Sequence, residues 1–133
     1  MRGLAVWFFI LMSIGAPAAA QTQLELNEQA CAARDKAEKQ LQKTVDEVKT
    51  RWKGDAAFIA KFDLAQEAWR KFADAQIEMI FPAEDKSYEY GSVYPMCDCS
   101  DMAAIIRDRI KQLRPWTKPS VDGDEGDVCP VGG

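Results

Sequence analysis

DAAFIAKFDLAQEAWRKFADAQIEMIFP, residues 55–82, decides the fold. Phe58, Phe62, Ala65, Trp69, Phe72, Gln76 and Met79 recur at alternating spacings of four and three, the signature of an amphipathic helix. Asp55 is a good N-cap, and Phe81-Pro82 ends the segment because the residue before proline is pushed out of the helical region. The large aromatics on this stripe are expected to pack, and to make this helix carry the bulk of the core. Upstream, Thr22-x-x-Glu25 fits a capping box, and Ala30, Ala33, Ala37, Leu41, Val45, Val48 and Trp52 form a second stripe that runs to a stop at Gly54. Downstream, a third helix is expected to start at Asp98 or Ser100, to bury Met102, Ile106, Ile110 and Leu113, and to close at Pro115. Residues 82–98 read as a long connection. The fold class is all-α: an antiparallel three-helix bundle, stapled by disulfides at one pole, with an irregular C-terminal tail.

The N-terminal residues set the compartment. Arg2, the apolar run Leu4–Ile14, the breakers Gly15 and Pro17, and Ala18-Ala19-Ala20 have the layout of a cleaved signal peptide. The run is shorter than the roughly 20 residues that span a bilayer, so no membrane span is expected in the mature form. The domain reading is therefore signal peptide 1–20, helical domain 21–114 and Pro/Gly/acidic tail 115–133, in a periplasmic or secreted protein. Arg2 is the one charged residue in the leader, so the rest keeps 16 basic and 21 acidic side chains, a net charge of −5. Such a balance disfavours nucleic acid as a partner and favours a basic one at long range. In an oxidising compartment Cys31, Cys97, Cys99 and Cys129 are expected to form two disulfides, for which three connectivities exist. In an up-down-up bundle Cys31, Cys97 and Cys99 fall at one end, and the tail is long enough to return Cys129 there.

Much chemistry is excluded. The chain has no histidine, which removes Ser-His, Cys-His and His-metal catalysis. Asp63 and Glu67 share a helix face but read as a solvated pair. No glycine-rich phosphate loop is present, and the acidic run Asp122–Asp127 lacks the helix flanks and distal glutamate of a calcium loop. No enzyme activity, cofactor or metal is expected.

Ala65-Gln66-Glu67-Ala68-Trp69, followed by Phe72 and Asp74-Ala75, resembles the A-Q-x-x-W-x-x-[FY]-R-D-A-x-C stretch of the LprI-like lysozyme-inhibitor N-terminal domain family. Leu26-Asn27, Ala37-Glu38-Lys39-Gln40-Leu41-Gln42, Gly91-Ser92-Val93, Arg109-x-x-x-Leu113 and Glu125–Pro130 resemble further pieces of the pattern, in order. Where the family has R-D-A-x-C this chain has Ala73-Asp74-Ala75-Gln76-Ile77, so an arginine and a cysteine are missing, and Cys97 is extra. The resemblance therefore implies a rewired staple, with Cys31 joined to the third helix or to the tail. Within the motif, Trp69 reads as a core anchor and Gln66 as a partner for backbone groups at a helix or loop end. Phe72 and Asp74 read as mainly structural.

The resemblance implies an exported protein that binds and inhibits lysozyme-type muramidases. Candidate partner-binding residues lie in the connection: Lys86, Tyr88, Tyr90 and Tyr94. Tyrosines on an ordered loop offer large contact area at low entropic cost, or fold back over the bundle end. Lys86 is the loop cation that could meet the enzyme's carboxylates. The other reading is a helical module that binds another envelope protein, or has a structural role, without touching lysozyme.

Overall fold

The computed structural model describes residues 21–118, and the expected signal peptide, most of the tail and Cys129 lie outside them. Three long helices, α1 (Gln23–Arg51), α2 (Ala56–Ile80) and α4 (Tyr94–Thr117), are joined by a short α3 (Lys86–Tyr90) and a single 3-10 turn (Gly91–Val93). There is no strand among the described residues. None of the described helices is long and apolar enough to cross a membrane.

Local chemistry explains the ends. The Thr22 hydroxyl accepts from the Glu25 N–H at 3.2 Å and the Glu25 carboxylate accepts from the Thr22 N–H at 2.8 Å, a reciprocal cap. The Asp55 carboxylate accepts from the Phe58 N–H at 2.9 Å and starts α2. Asp85 does the same for Tyr88, also at 2.9 Å, and starts α3. Gly91 then turns the chain at φ +66°, a conformation that costs glycine least.

The core joins α1 to α4. Val48 and Ile106 are fully buried, with Ala37, Leu41, Ala103, Ile110 and Leu113 around them, and the Cys31–Cys99 disulfide ties the two helices. Ala37 on α1 and Ala103 on α4 are both small and buried. Thr44, the one buried polar side chain among the described residues, donates to the Gln40 carbonyl at 2.9 Å. Along α1 and α4 the partner numbers rise together, 31 with 99 and 52 with 116. Along α1 and α2 they oppose: Glu38 meets Arg70, and Lys49 meets Asp63.

Four expectations need correction. The first concerns α2, which is not the main contributor to the core: Phe62, Ala73 and Ile77 are its buried residues, while Ala65, Phe72 and Met79 face solvent. A strict four-three stripe drifts by about 20° per heptad on a straight helix, so its far end leaves the core. The second concerns α4, which begins at Tyr94 rather than at Asp98 or Ser100, with Pro95 in the first turn where its missing N–H costs nothing. Third, Pro115 does not close α4. The last turn is held from outside, because the Trp52 indole N–H donates to the Trp116 carbonyl at 3.1 Å and Trp116 packs 5.4 Å from Phe58. Fourth, the long connection expected over residues 82–98 is partly helical: it holds α3, the 3-10 turn and the first turn of α4.

Candidate partner-binding surface

The segment from Phe81 to Tyr94 is built on an aromatic hinge. The Phe81, Tyr90 and Tyr94 rings lie 5.3 to 5.9 Å apart, edge-on about Phe81 and stacked between the tyrosines. The Ala83 N–H donates to the Tyr90 hydroxyl oxygen at 3.2 Å, and the Tyr94 hydroxyl donates to Asp98 at 3.3 Å. Burial, reinforced by the neighbouring Asp98 carboxylate, pushes the Tyr94 phenol above its ordinary pKa. Lys86 donates to Glu78 at 2.8 Å with its side chain only 20 % exposed. That hydrogen bond, together with the Glu78 charge, raises the Lys86 pKa.

Of the four candidate residues, Tyr90 and Tyr94 are therefore half-buried supports and Lys86 is an anchored cation. Tyr88 alone projects, 86 % exposed at the crest of α3. The segment is also fastened to α1: the Asn27 side-chain amide donates to the Ser92 carbonyl at 3.0 Å, beside the Cys31–Cys99 bond. Phe81, Asn27 and Glu78 were not singled out as site residues, and only Asn27 carried a signal, through the Leu26-Asn27 pair. Leu24, Ile80 and Val93 are exposed on the same parts of the chain.

Charge is divided between the two ends. Segments 23–31 and 78–101, which meet at the loop, hold eight carboxylates against the single cation Lys86. Segments 49–63 and 107–118, which meet at Trp52 and Trp116, hold nine cations against three carboxylates. Among the described residues, then, charge separates into an acidic loop end and a basic far end.

Cys97 is half-buried and has no disulfide partner among the described residues. Cys99 faces α1 because two helical residues rotate the side chain by about 200°.

The motif residues divide in two. Gln66 does not serve backbone groups; its side-chain oxygen accepts from Arg109 Nε at 2.8 Å and from a second guanidinium nitrogen. Arg109 lies 5.7 Å from the Trp69 ring centre and Arg70 lies 4.9 Å from it, with Arg70 also making two bonds to Glu38 at 2.7 and 2.8 Å. Desolvation lowers the pKa of Arg109, while the Glu38 hydrogen bond raises that of Arg70. Trp69 and Gln66 thus clamp α2 against α1 and α4, whereas Phe72 and Asp74 face solvent.

Pieces that lie apart in sequence, Gln66 and Trp69 in α2 and Arg109 in α4, are in contact. Comparison with protein families matches residues 14–113 to one family, described as lysozyme inhibitor LprI. No curated protein and no solved structure matches the chain. The family match takes in α1, α2, α3 and α4 up to its last core residue, Leu113, and the chain belongs to the lysozyme inhibitor LprI family.

Proposed function

We propose that the chain is an exported inhibitor of lysozyme-type muramidases that covers the enzyme's cleft with its acidic loop end. The observation that carries this reading is Tyr88 standing out from a loop fixed on three sides, on a segment that also carries Glu84, Asp85 and Glu89. A fixed loop loses little entropy on binding, and an acidic rim speeds encounter with a basic enzyme. Tyr88 makes the contact, Tyr90 and Tyr94 hold the loop's shape, and Lys86 anchors its root through Glu78. Occlusion by this surface fits better than insertion of Lys86, whose ammonium already has a carboxylate partner.

The architecture behind this reading is an antiparallel three-helix bundle stapled at the loop end. The pairings 31–99, 38–70 and 52–116 support it. The same reading places cleavage near Ala20, the domain over 21–114 and the tail over 115–133, with Cys129 returning to Cys97. The Cys31–Cys99 bond suits an oxidising compartment outside the cytoplasm.

The test is titration of the purified protein into a cell-wall lysis assay with a basic lysozyme. Saturable inhibition near one-to-one that weakens as salt is raised supports the reading. Tyr88→Ala should weaken inhibition at least tenfold, on the order of 1.4 kcal/mol, without moving the melting temperature. Lysis unaffected at large excess would overturn it.

A further inference from the structure

The solvent face of α2 carries a second apolar seam. Leu64, Phe72 and Met79 are 59, 60 and 71 % exposed, and Ala65, Ala68 and Ala75 beside them also face solvent. Lys61, Ala65, Ala68, Phe72, Ala75 and Met79 follow one another at alternating four and three residues, the spacing of a seam between two helices. Phe72, Ala75, Gln76 and Met79 border a shallow hollow of about 380 Å³. A contiguous apolar ridge on a small protein marks a contact surface.

We propose that this seam binds the same seam of a second copy, with the two α2 helices antiparallel about a two-fold axis near residue 70. Shape supports the pairing. In that register Phe72 meets the second copy's Ala68, Ala65 meets its Ala75, and Met79 lies on the aliphatic stem of its Lys61. Large side chains face small or flexible ones, and the alanines allow the axes to approach to the short end of the roughly 8–10 Å range.

Charge selects both the partner and the direction. Among the described residues, antiparallel packing sets the acidic end of one copy beside the basic end of the other, whereas a parallel pair would stack like charges. Lys61 has no ion pair among the described residues and falls beside the second copy's Glu78, which is 65 % exposed even while paired with Lys86. The interface is isologous, so it closes at two copies.

Sedimentation equilibrium of the purified, disulfide-bonded protein across the micromolar range tests this. The expected mass is twice that of one chain, falling toward one chain as salt is raised. Phe72→Glu should give a single chain with unchanged helicity. Lys61→Glu should weaken association about tenfold, and Lys61→Gln, which removes the charge without reversing it, should weaken it less. A single-chain mass throughout overturns the proposal, as does a dimer that survives Phe72→Glu. A one-to-one complex with lysozyme that Phe72→Glu abolishes, formed by an otherwise monomeric protein, would give the seam to the enzyme and overturn it as well.

Discussion

The Cys31–Cys99 bond closes a loop with a sequence separation of 68, which spans most of α1, all of α2 and α3, and the start of α4. Removing it should release that constraint from the unfolded chain. For a loop of this length the chain-entropy relation gives a stabilisation of about 4 kcal/mol at 25 °C. Against the total of roughly 5–15 kcal/mol typical of a single domain, that is a large share. The suitable variant is Cys31→Ala/Cys99→Ala, because changing one cysteine alone frees the other to pair with Cys97. Cys99 is only 2 % exposed, and the small void left by its sulfur adds about 1 kcal/mol. Urea unfolding followed by helicity should show a midpoint lowered accordingly. The dependence on urea should be steeper, because an uncrosslinked chain exposes more surface. Losing less than about 1 kcal/mol with an unchanged slope would refute the reasoning. It would mean that α1 and α4 stay together in the unfolded ensemble without the bond.

Ile106 is fully buried between α1 and α4, so Ile106→Ala should cost about 2–5 kcal/mol in the same urea assay. Gln66→Leu removes an acceptor shared by two guanidinium nitrogens and should cost about 1–2 kcal/mol, while Gln66→Leu/Arg109→Met should recover part of it by removing the stranded charge as well. Lys86 and Tyr94 hold their protons above the ordinary values of 10.5 and 10.0, so the folded chain keeps protons that the unfolded chain releases. Their contribution is full below about pH 10 and is lost as pH rises through the raised values. The urea midpoint should therefore fall in that alkaline window, and Tyr94→Phe should lessen the fall.

How much could be read in advance follows from the range of the forces. The starts of α1 and α2 were legible because Thr22, Glu25 and Asp55 act on backbone groups within three residues of themselves. The stripes of α1 and α4 were legible because Ala37, Leu41 and Val48 on one and Ile106, Ile110 and Leu113 on the other share one core. The start of α4 was not, since Tyr94 to Asp98 are held by Phe81, Tyr90 and the attachment of Ser92 to Asn27, contacts made across the chain. Choosing between Cys97 and Cys99 was equally closed to sequence. Either would close almost the same loop onto Cys31, and only the rotation of α4 turns Cys99 inward.

For the candidate site, the tyrosine-bearing loop was legible as a place but not as a division of labour. Tyr88, Tyr90 and Tyr94 are the same residue type in one short segment, yet only Tyr88 is left outside the packing. The misreading of α2 is the instructive one. Its stripe from Phe58 to Met79 spans three heptads, and a drift of about 20° in each carries a strict four-three pattern some 60° around a straight helix. Phe58 and Phe62 therefore reach the core while Phe72 and Met79, written in the same rhythm, emerge into solvent. A helix that served only its own core would follow the 3.6-residue period and let its far apolar positions turn polar. This one keeps large apolar side chains on the drifting line, with alanines spaced between them. That pattern carries the apolar information for two faces, one turned to α1 and α4 and the other to a surface outside the bundle.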